Sequence, residues 1–255
     1  MIKKLIPYII YLITIVITYY AMQICGFKID ALQKGLQDSF VFIRQMFPPS
    51  WNDFKELLIP ALETISLALL GTFLGSVLSL VIALFAANNL TYNWIKFIVR
   101  SLISVERSIP ELFILLILIA AYGLGALSAV LALMIGCIGM LGKLFADAIE
   151  ETPSSVIESL KAGGANKVQI IYFGILPDLM PKLISYSLFR FEINIRLSVL
   201  LGAIGAGGIG YELDYAFSML QFHRALSCLI VILILVIAIE QISIFIRKKL
   251  AIQQF

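Results

Sequence analysis

Charged side chains occur inside a run of this chain that is otherwise apolar. Arg190, Glu192, Asn194 and Arg196 fall within seven consecutive positions of the run 182–203. A charge in the hydrocarbon core of a membrane costs at least ~2.5–3.5 kcal/mol on insertion scales, so it normally faces a partner or a wet pathway. Arginine offers donors in a planar fork that suits phosphoryl-type oxygens. The pattern predicts either a pathway for an anion or a structural ion pair that joins this helix to another helix, and the sequence leaves both open.

The spacing of these residues distributes them over two faces of one helix. Glu192 and Arg196 are four residues apart, so they can pair on one face. Arg190 and Asn194 have the same spacing and share a neighbouring face. We therefore expect an ion pair within the helix on the first face.

A second charged pair with the same spacing flanks a proline. Arg107 and Glu111 lie on either side of Pro110, close to one end of the apolar run 101–121. Proline removes a helical hydrogen bond and can kink or start a helix. These residues predict a hinge or gate, and an ordinary proline kink with a structural ion pair fits them equally well.

Glycines are concentrated directly after the run 182–203. Each costs ~1 kcal/mol in a helix relative to alanine, so this segment should not continue as a straight helix. It should fold back into a pore mouth or receive a binding protein. The Gly-x-Gly-x-x-Gly match is not read as a dinucleotide site, because no strand precedes it. The glycines of this predicted outer loop are Gly205, Gly207, Gly208 and Gly210.

The sequence lacks the residues that several common kinds of chemistry require. His223 is the only histidine, and Cys25, Cys137 and Cys228 match no metal-binding spacing. No Gly-x-x-x-x-Gly-Lys-Ser/Thr phosphate loop is present. We therefore expect no catalytic residue, no metal site and no cofactor in this chain, which should not be an enzyme.

The elements that must position these residues are membrane helices. Hydrophobic residues make up 61% of the chain and charged residues 14%, against ~45–50% and ~25% in soluble proteins. Uncharged runs of this length must be helical, because unpaired backbone groups in lipid cost several kcal/mol each. The expected fold is an all-α polytopic membrane protein with six transmembrane helices. These spans are roughly 5–24, 60–87, 101–121, 126–146, 182–203 and 225–246.

Lysine and arginine in short loops set the orientation of the spans. The net charge of +3 fits this bias and gives no reason to expect a nucleic-acid partner. Both termini and the polar segment at about 148–180 should be cytoplasmic. The expected domains are 1–59, an anchor helix with an extracytoplasmic segment, and 60–255, the transmembrane domain. The cytoplasmic cations on this reading are Lys3, Lys4, Lys96, Arg100, Lys161, Lys167, Arg247, Lys248 and Lys249.

The polar segment at about 148–180 should form two short helices. Pro153 and the serines after it suit a helix start, and Glu158 in the first turns suits the helix dipole. The small residues 162–165 leave a bare backbone surface that fits a cleft on another protein, with a sharp turn at a glycine. A second helix, about 166–175, should end at Leu176-Pro177, where proline stops it or starts the next span.

The spacing of Glu158, Gly164 and Leu176-Pro177 resembles the EAA loop of type I ABC importer permeases, which docks on the ATPase subunit. Two departures stand out: Ser159-Leu160 replaces the usual pair of alanines, and Gly174 stands where isoleucine is common. The resemblance implies a coupling role for Glu158, Ala162, Gly164, Ala165, Leu176 and Pro177.

Four further segments resemble phosphonate importer permeases, from about residue 60 to the C-terminus. The first and last are shared with methionine-type permeases, and the third is the most discriminating. They are 107–111, 141–145, 189–196 and 202–210.

The resemblance implies a bacterial inner-membrane permease for phosphonate or a related phosphorus oxyanion. Its expected partners are a second permease subunit, two ABC ATPase subunits that bind ATP and Mg, and an extracytoplasmic substrate-binding protein. A methionine-type or other small-solute importer is one alternative. An ion-coupled secondary transporter is another, although it predicts two related halves, and no internal repeat is visible.

Overall fold

The computed structural model describes residues 2–252, which contain helices and no strand. The chain divides into two compact units, Met1–Pro48 and Pro49–Phe255. The first unit holds α1 (Ile2–Ile24) and α2 (Ile29–Met46). In apolar α1 the hydroxyls of Thr14 and Thr18 donate to carbonyls four residues earlier, at 2.9 and 2.8 Å. Their polarity is thereby satisfied within the helix.

The second unit is a helical bundle with a short 3₁₀ turn, Trp51–Asp53, at its start. Two wide turns of π-helix occur at Ile171–Ile175 and Gly202–Ala206. Its helices are α3 (Phe54–Ala86), α4 (Asn93–Arg107), α5 (Glu111–Tyr122), α6 (Ala126–Glu150), α7 (Ser154–Ala162), α8 (Lys167–Ile170), α9 (Leu176–Leu201), α10 (Gly208–Ser218) and α11 (Phe222–Ile252).

Glycines bring α3 and α6 into close contact at the centre of the bundle. A Cβ atom on Gly71 would lie 2.6 Å from Leu133 Cβ, and one on Gly75 would lie 2.9 Å from the Met134 carbonyl oxygen. This spacing of small residues lets membrane helices approach closely, where van der Waals packing holds them together. Helix α9 packs against both α3 and α6, and α11 packs against α9.

The buried core extends into the predicted coupling segment. Ile157 of α7 and Ile175 pack with Phe145, Ile149 and Leu179 in one hydrophobic cluster. The segment is therefore attached to the bundle by apolar contacts.

Within the described residues, three helices are long and apolar enough to cross a membrane: Trp51–Ala86, Ala126–Glu150 and Phe222–Leu250. A fourth candidate is the bent pair Lys167–Ala206 and Gly208–Ser218, which turns by 55°. The two remaining expected spans correspond to shorter apolar helices, Ile10–Ile24 and Glu111–Tyr122. The structure thus supports three to four spans by length and composition, and the count of six stays a prediction.

The expected span 101–121 is not one helix, which corrects the sequence prediction. Helix α4 ends at Arg107, and α5 begins at Glu111. Pro110 lies between them in an extended conformation, with φ −61° and ψ 137°. Proline has no amide donor and disfavours helical geometry in the residue before it, so the helix breaks here.

Candidate functional site

The break between α4 and α5 places charged side chains against α6. Two glycines of α6 provide the space for them. A Cβ atom on Gly136 would lie 2.7 Å from Arg190 Nη2 and 2.9 Å from Glu111 Cγ. A Cβ atom on Gly139 would lie 2.6 Å from Glu106 Cδ and 2.7 Å from the Cγ of Arg107. We call Glu106, Arg107, Glu111 and Arg190 the Arg190 cluster.

Arg190 of α9 pairs with Glu111 of α5. Its Nη2 donates to Glu111 Oε1 at 3.2 Å, and its side chain is only 4% exposed. The expected pair of Arg107 with Glu111 is wrong, because the helix break removes the spacing that would have joined them. Arg190 Nε and Glu106 Oε2 are buried without a hydrogen-bond partner among the described residues. Arg190 and Glu106 therefore each keep one buried polar atom, a donor and an acceptor respectively, without a partner among the described residues.

Asn194 lies one turn further along the same face of α9, as its spacing from Arg190 predicts. Its Nδ2 donates to Thr72 Oγ1 at 2.8 Å and to Cys137 Sγ at 3.2 Å. Its Oδ1 is buried and has no partner within the described part of the chain. This face of α9 thus carries buried polar groups that the bundle satisfies only in part.

The other face of α9 carries complete ion pairs with α11. Glu192 Oε1 accepts from Arg247 at 2.7 Å, and Arg196 donates to Glu240 at 3.0 Å. The expected pair of Glu192 with Arg196 within the helix is therefore wrong, and the structure shows instead the ion pairs to another helix that the sequence also left open. Their true partners are 55 and 44 residues distant in sequence. The only sequence feature that pointed to these partners was the presence of two charged residues, Glu240 and Arg247, within or just beyond the last apolar run.

The predicted outer glycine loop is a bend followed by a helix start. Gly205, Gly207 and Gly208 have φ values of +100°, +95° and +72°, which side chains other than glycine rarely adopt. Two residues of α3 cap α10, and the sequence analysis missed both. Glu63 Oε2 accepts from the Gly208 amide at 3.0 Å, and Thr64 Oγ1 accepts from the Ile209 amide at 2.9 Å.

Gly210 packs directly on the backbone of α9, because a Cβ atom there would lie 2.8 Å from the carbonyl carbon of Val199. The break in the helix is thus confirmed. The outer position and the role of this loop stay predictions.

The predicted coupling segment contains the expected helix α7 and a sharp turn. Gly164 has φ +81°, and no atom lies within 4 Å of the position its Cβ would take. Glu158, Ala162 and Gly164 are exposed, and Ala165 is half-buried. These small and acidic residues therefore form an accessible surface beside the turn.

A capping box starts the second helix of this segment. Asn166 and Gln169 exchange hydrogen bonds of 2.9 Å between side chains and backbone amides. The helix does not stop at Leu176-Pro177 but continues through a wide turn into α9. Pro177 lies in the first turn of α9, directly after the wide turn Ile171–Ile175. Of the two expected roles for this proline, starting the next span is the one observed.

The two departures from the loop pattern lie against each other. A Cβ atom on Gly174 would lie 2.7 Å from Leu160 Cδ1 and 3.4 Å from Val156 Cγ1. Leu160 therefore fills the space that a larger residue at position 174 would occupy.

Comparison with known proteins agrees with this architecture. A family model described as binding-protein-dependent transport system inner membrane component matches residues 75–251. The phosphite transport system permease protein PtxC of Stutzerimonas stutzeri is 35% identical over 85% of this chain and 79% of its own length. The phosphate-import permease protein PhnE of Mycolicibacterium smegmatis is 36% identical over 86% of this chain and 42% of its own length.

Solved structures show the same fold. An inward facing conformation of the MetNI methionine ABC transporter contains a chain that matches with a TM-score of 0.69 and 22% identity. The match covers 79% of this chain and 99% of that chain. At this identity the likeness shows the fold alone. The chain belongs to the family of binding-protein-dependent transport system inner membrane components and is a multi-pass permease with the type I ABC importer fold.

Proposed function

We propose that this permease imports a phosphonate, phosphite or related phosphorus oxyanion. Relatives named for phosphite and phosphate transport support the substrate class. The observation that carries the proposal is the buried Arg190 guanidinium, whose Nε has no partner among the described residues. An arginine donor in a low-dielectric site binds phosphoryl oxygens strongly.

The Arg190 cluster lies on the proposed pathway, and the break at Pro110 is its hinge. Glu106 and Glu111 offset the charges of Arg190 and Arg107. A passing anion therefore meets a site of balanced charge and is held only briefly. Asn194 extends the same polar face of α9. The proposed outer mouth is the bend at Gly205, Gly207, Gly208 and Gly210.

The proposed complex contains a second permease subunit, two ABC ATPase subunits and an extracytoplasmic substrate-binding protein. ATP and Mg bind to the ATPase subunits, and this chain is not an enzyme and holds no cofactor. Its termini and the segment 148–180 face the cytoplasm of a bacterial cell, as the lysine and arginine distribution favours. Residues 1–59 act as an anchor with an extracytoplasmic part, and residues 60–255 form the transmembrane domain.

Uptake in proteoliposomes tests the substrate class. The complex, supplied with its binding protein and ATP, should accumulate labelled methylphosphonate or phosphite and should not accumulate methionine. Accumulation of methionine instead, or uptake that an ion gradient drives without ATP, would overturn the proposal.

The exposed surface beside Gly164 is the proposed ATPase-docking surface, together with Glu158, Leu176 and Pro177. Glu158 lies in the middle of α7 and not in its first turns, which corrects the sequence prediction, so Glu158→Lys acts by reversing an exposed charge. Gly164→Ala strains a left-handed backbone by ~1–2 kcal/mol. Both variants should insert normally but lose substrate-stimulated ATP hydrolysis.

Gly163→Ala is the matched control for this docking surface. Gly163 has φ −77°, and its Cβ would lie 3.5 Å from the Leu160 carbonyl oxygen, an ordinary contact. This variant should hydrolyse ATP at the wild-type rate. Full coupling in Glu158→Lys at normal expression would contradict the docking role.

A further inference from the structure

A small polar cavity lies between α3, α4 and α6, at the end of the bundle where the predicted coupling segment begins. Its volume is about 210 Å³. Three apolar side chains complete its wall. The polar side chains that line it are Arg100, Ser104, Arg107, Lys143 and Asp147.

The cations in this wall outnumber the carboxylates. Arg100 is already engaged: it donates to Glu150 at 2.5 Å and to the Ala86 carbonyl at 2.9 Å, and it lies 3.9 Å from Asp147. Arg107 and Lys143 close no ion pair within residues 2–252. Both residues are exposed, so an anion from outside can reach them, and its charge would offset the repulsion between the two cations.

The size and the donors of the cavity define the anion. A water molecule takes about 30 Å³ of liquid volume, so the cavity has room for a five-heavy-atom oxyanion. A guanidinium fork beside an ammonium is a typical donor set for phosphoryl groups. The ligand class is therefore a small tetrahedral oxyanion.

Arg107 connects this cavity to the Arg190 cluster. A Cβ atom placed on Gly139 would lie 2.7 Å from the Cγ of Arg107 and 2.6 Å from the Cδ of Glu106, so both side chains lie against this glycine. Glu106 in turn interacts electrostatically with Arg107, Arg190 and Glu111. The cavity thus adjoins the cluster on the side of the predicted coupling segment.

We propose that Arg107 and Lys143 form a second oxyanion site, which receives the phosphoryl-type anion after it leaves Arg190. The site itself follows from the cavity, and its place in transport rests on the proposed function. Two sources can supply such a group: the transported free anion or the phosphate of a lipid headgroup.

Phosphate binding to the complete transporter tests the site. The complex is placed in phosphatidylcholine nanodiscs, without binding protein or nucleotide, and equilibrium dialysis measures the binding of labelled inorganic phosphate. Arg107→Gln and Lys143→Gln should each weaken binding about tenfold or more. Lys143→Arg keeps the charge and should bind within about threefold of wild type, which separates loss of the site from misfolding.

Lys96→Gln is the matched control, since Lys96 lies on the same helix α4 and outside the cavity. Wild-type affinity in Lys143→Gln, or equal weakening in Lys96→Gln, would overturn the proposal. Replacing part of the lipid with phosphatidylglycerol separates the two sources. If phosphatidylglycerol lowers phosphate binding in the wild type but not in Lys143→Gln, the site binds a lipid headgroup. If phosphatidylglycerol does not lower phosphate binding, the site binds the free anion. This binding measurement does not depend on transport, so its result stays valid even if the complex fails to take up methylphosphonate.

Discussion

The polar side chains on the two faces of α9 differ in how completely they are paired. On one face Glu192 and Arg196 each hold a partner on α11, and both pairs are closed. On the other face Arg190 and Asn194 each keep one buried polar atom without a partner among the described residues. Unpartnered buried polar atoms reduce stability, so a fold tolerates them mainly where they serve a function. We therefore expect the first face to be structural and the second face to contact substrate.

The largest effect should follow from removing Arg247, the partner of Glu192. The Glu192 side chain is only 6% exposed, so Arg247→Gln leaves a buried carboxylate unpaired. A loss of about 3–5 kcal/mol is expected. Thermal unfolding of the purified complex should shift to lower temperature, with reduced expression.

The double variant Glu192→Gln/Arg247→Gln is the control for this pair. It removes both charges and should recover most of the lost stability. A double variant as unstable as Arg247→Gln alone would show that the pair is not the cause.

A functional effect without a large loss of stability is expected on the opposite face. Arg190→Gln removes the proposed anion donor and releases its ion-pair partner Glu111, which can reach an open surface because its side chain is 32% exposed. Glu106 also loses a nearby cation but keeps Arg107. Uptake should fall about tenfold or more while ATP hydrolysis persists. Wild-type uptake with reduced expression would make both faces of α9 structural.

The smallest effect on uptake should come from the second ion pair with α11. Arg196→Gln leaves Glu240 unpaired inside an apolar span, which costs ~2.5–3.5 kcal/mol on insertion scales. Expression of Arg196→Gln should therefore fall, but its uptake per inserted complex should stay unchanged. A loss of uptake that equals that of Arg190→Gln would remove the distinction between the two faces.

The sequence predicted the features that depend on local pattern. The apolar runs located the helices, the glycines after position 201 predicted the break before α10, and Pro153 with its serines located α7. Each of these signals acts within a few residues, so a single sequence contains it completely.

The ion-pair partners of the charged side chains could not be predicted from local sequence patterns. Four-residue spacing suggested pairs within a helix, but α11 and α5 supply stronger partners from distant parts of the chain. Likewise, nothing local marked Glu63 as the cap of α10 or Gly71 as a contact with α6. The sequence analysis also missed Glu106, because its proximity to Arg190 depends on the break at Pro110.

The contact between Leu160 and Gly174 has a consequence for building hybrid transporters. Because Leu160 fills the space next to Gly174, replacing part of the predicted coupling segment with that of a relative should succeed only if both positions are exchanged together. Isoleucine at position 174 alone would force the Leu160 side chain to move. Isoleucine combined with alanine at position 160 should restore the fit. The packing of α7 against the turn Ile171–Ile175 therefore depends on positions 160 and 174 jointly.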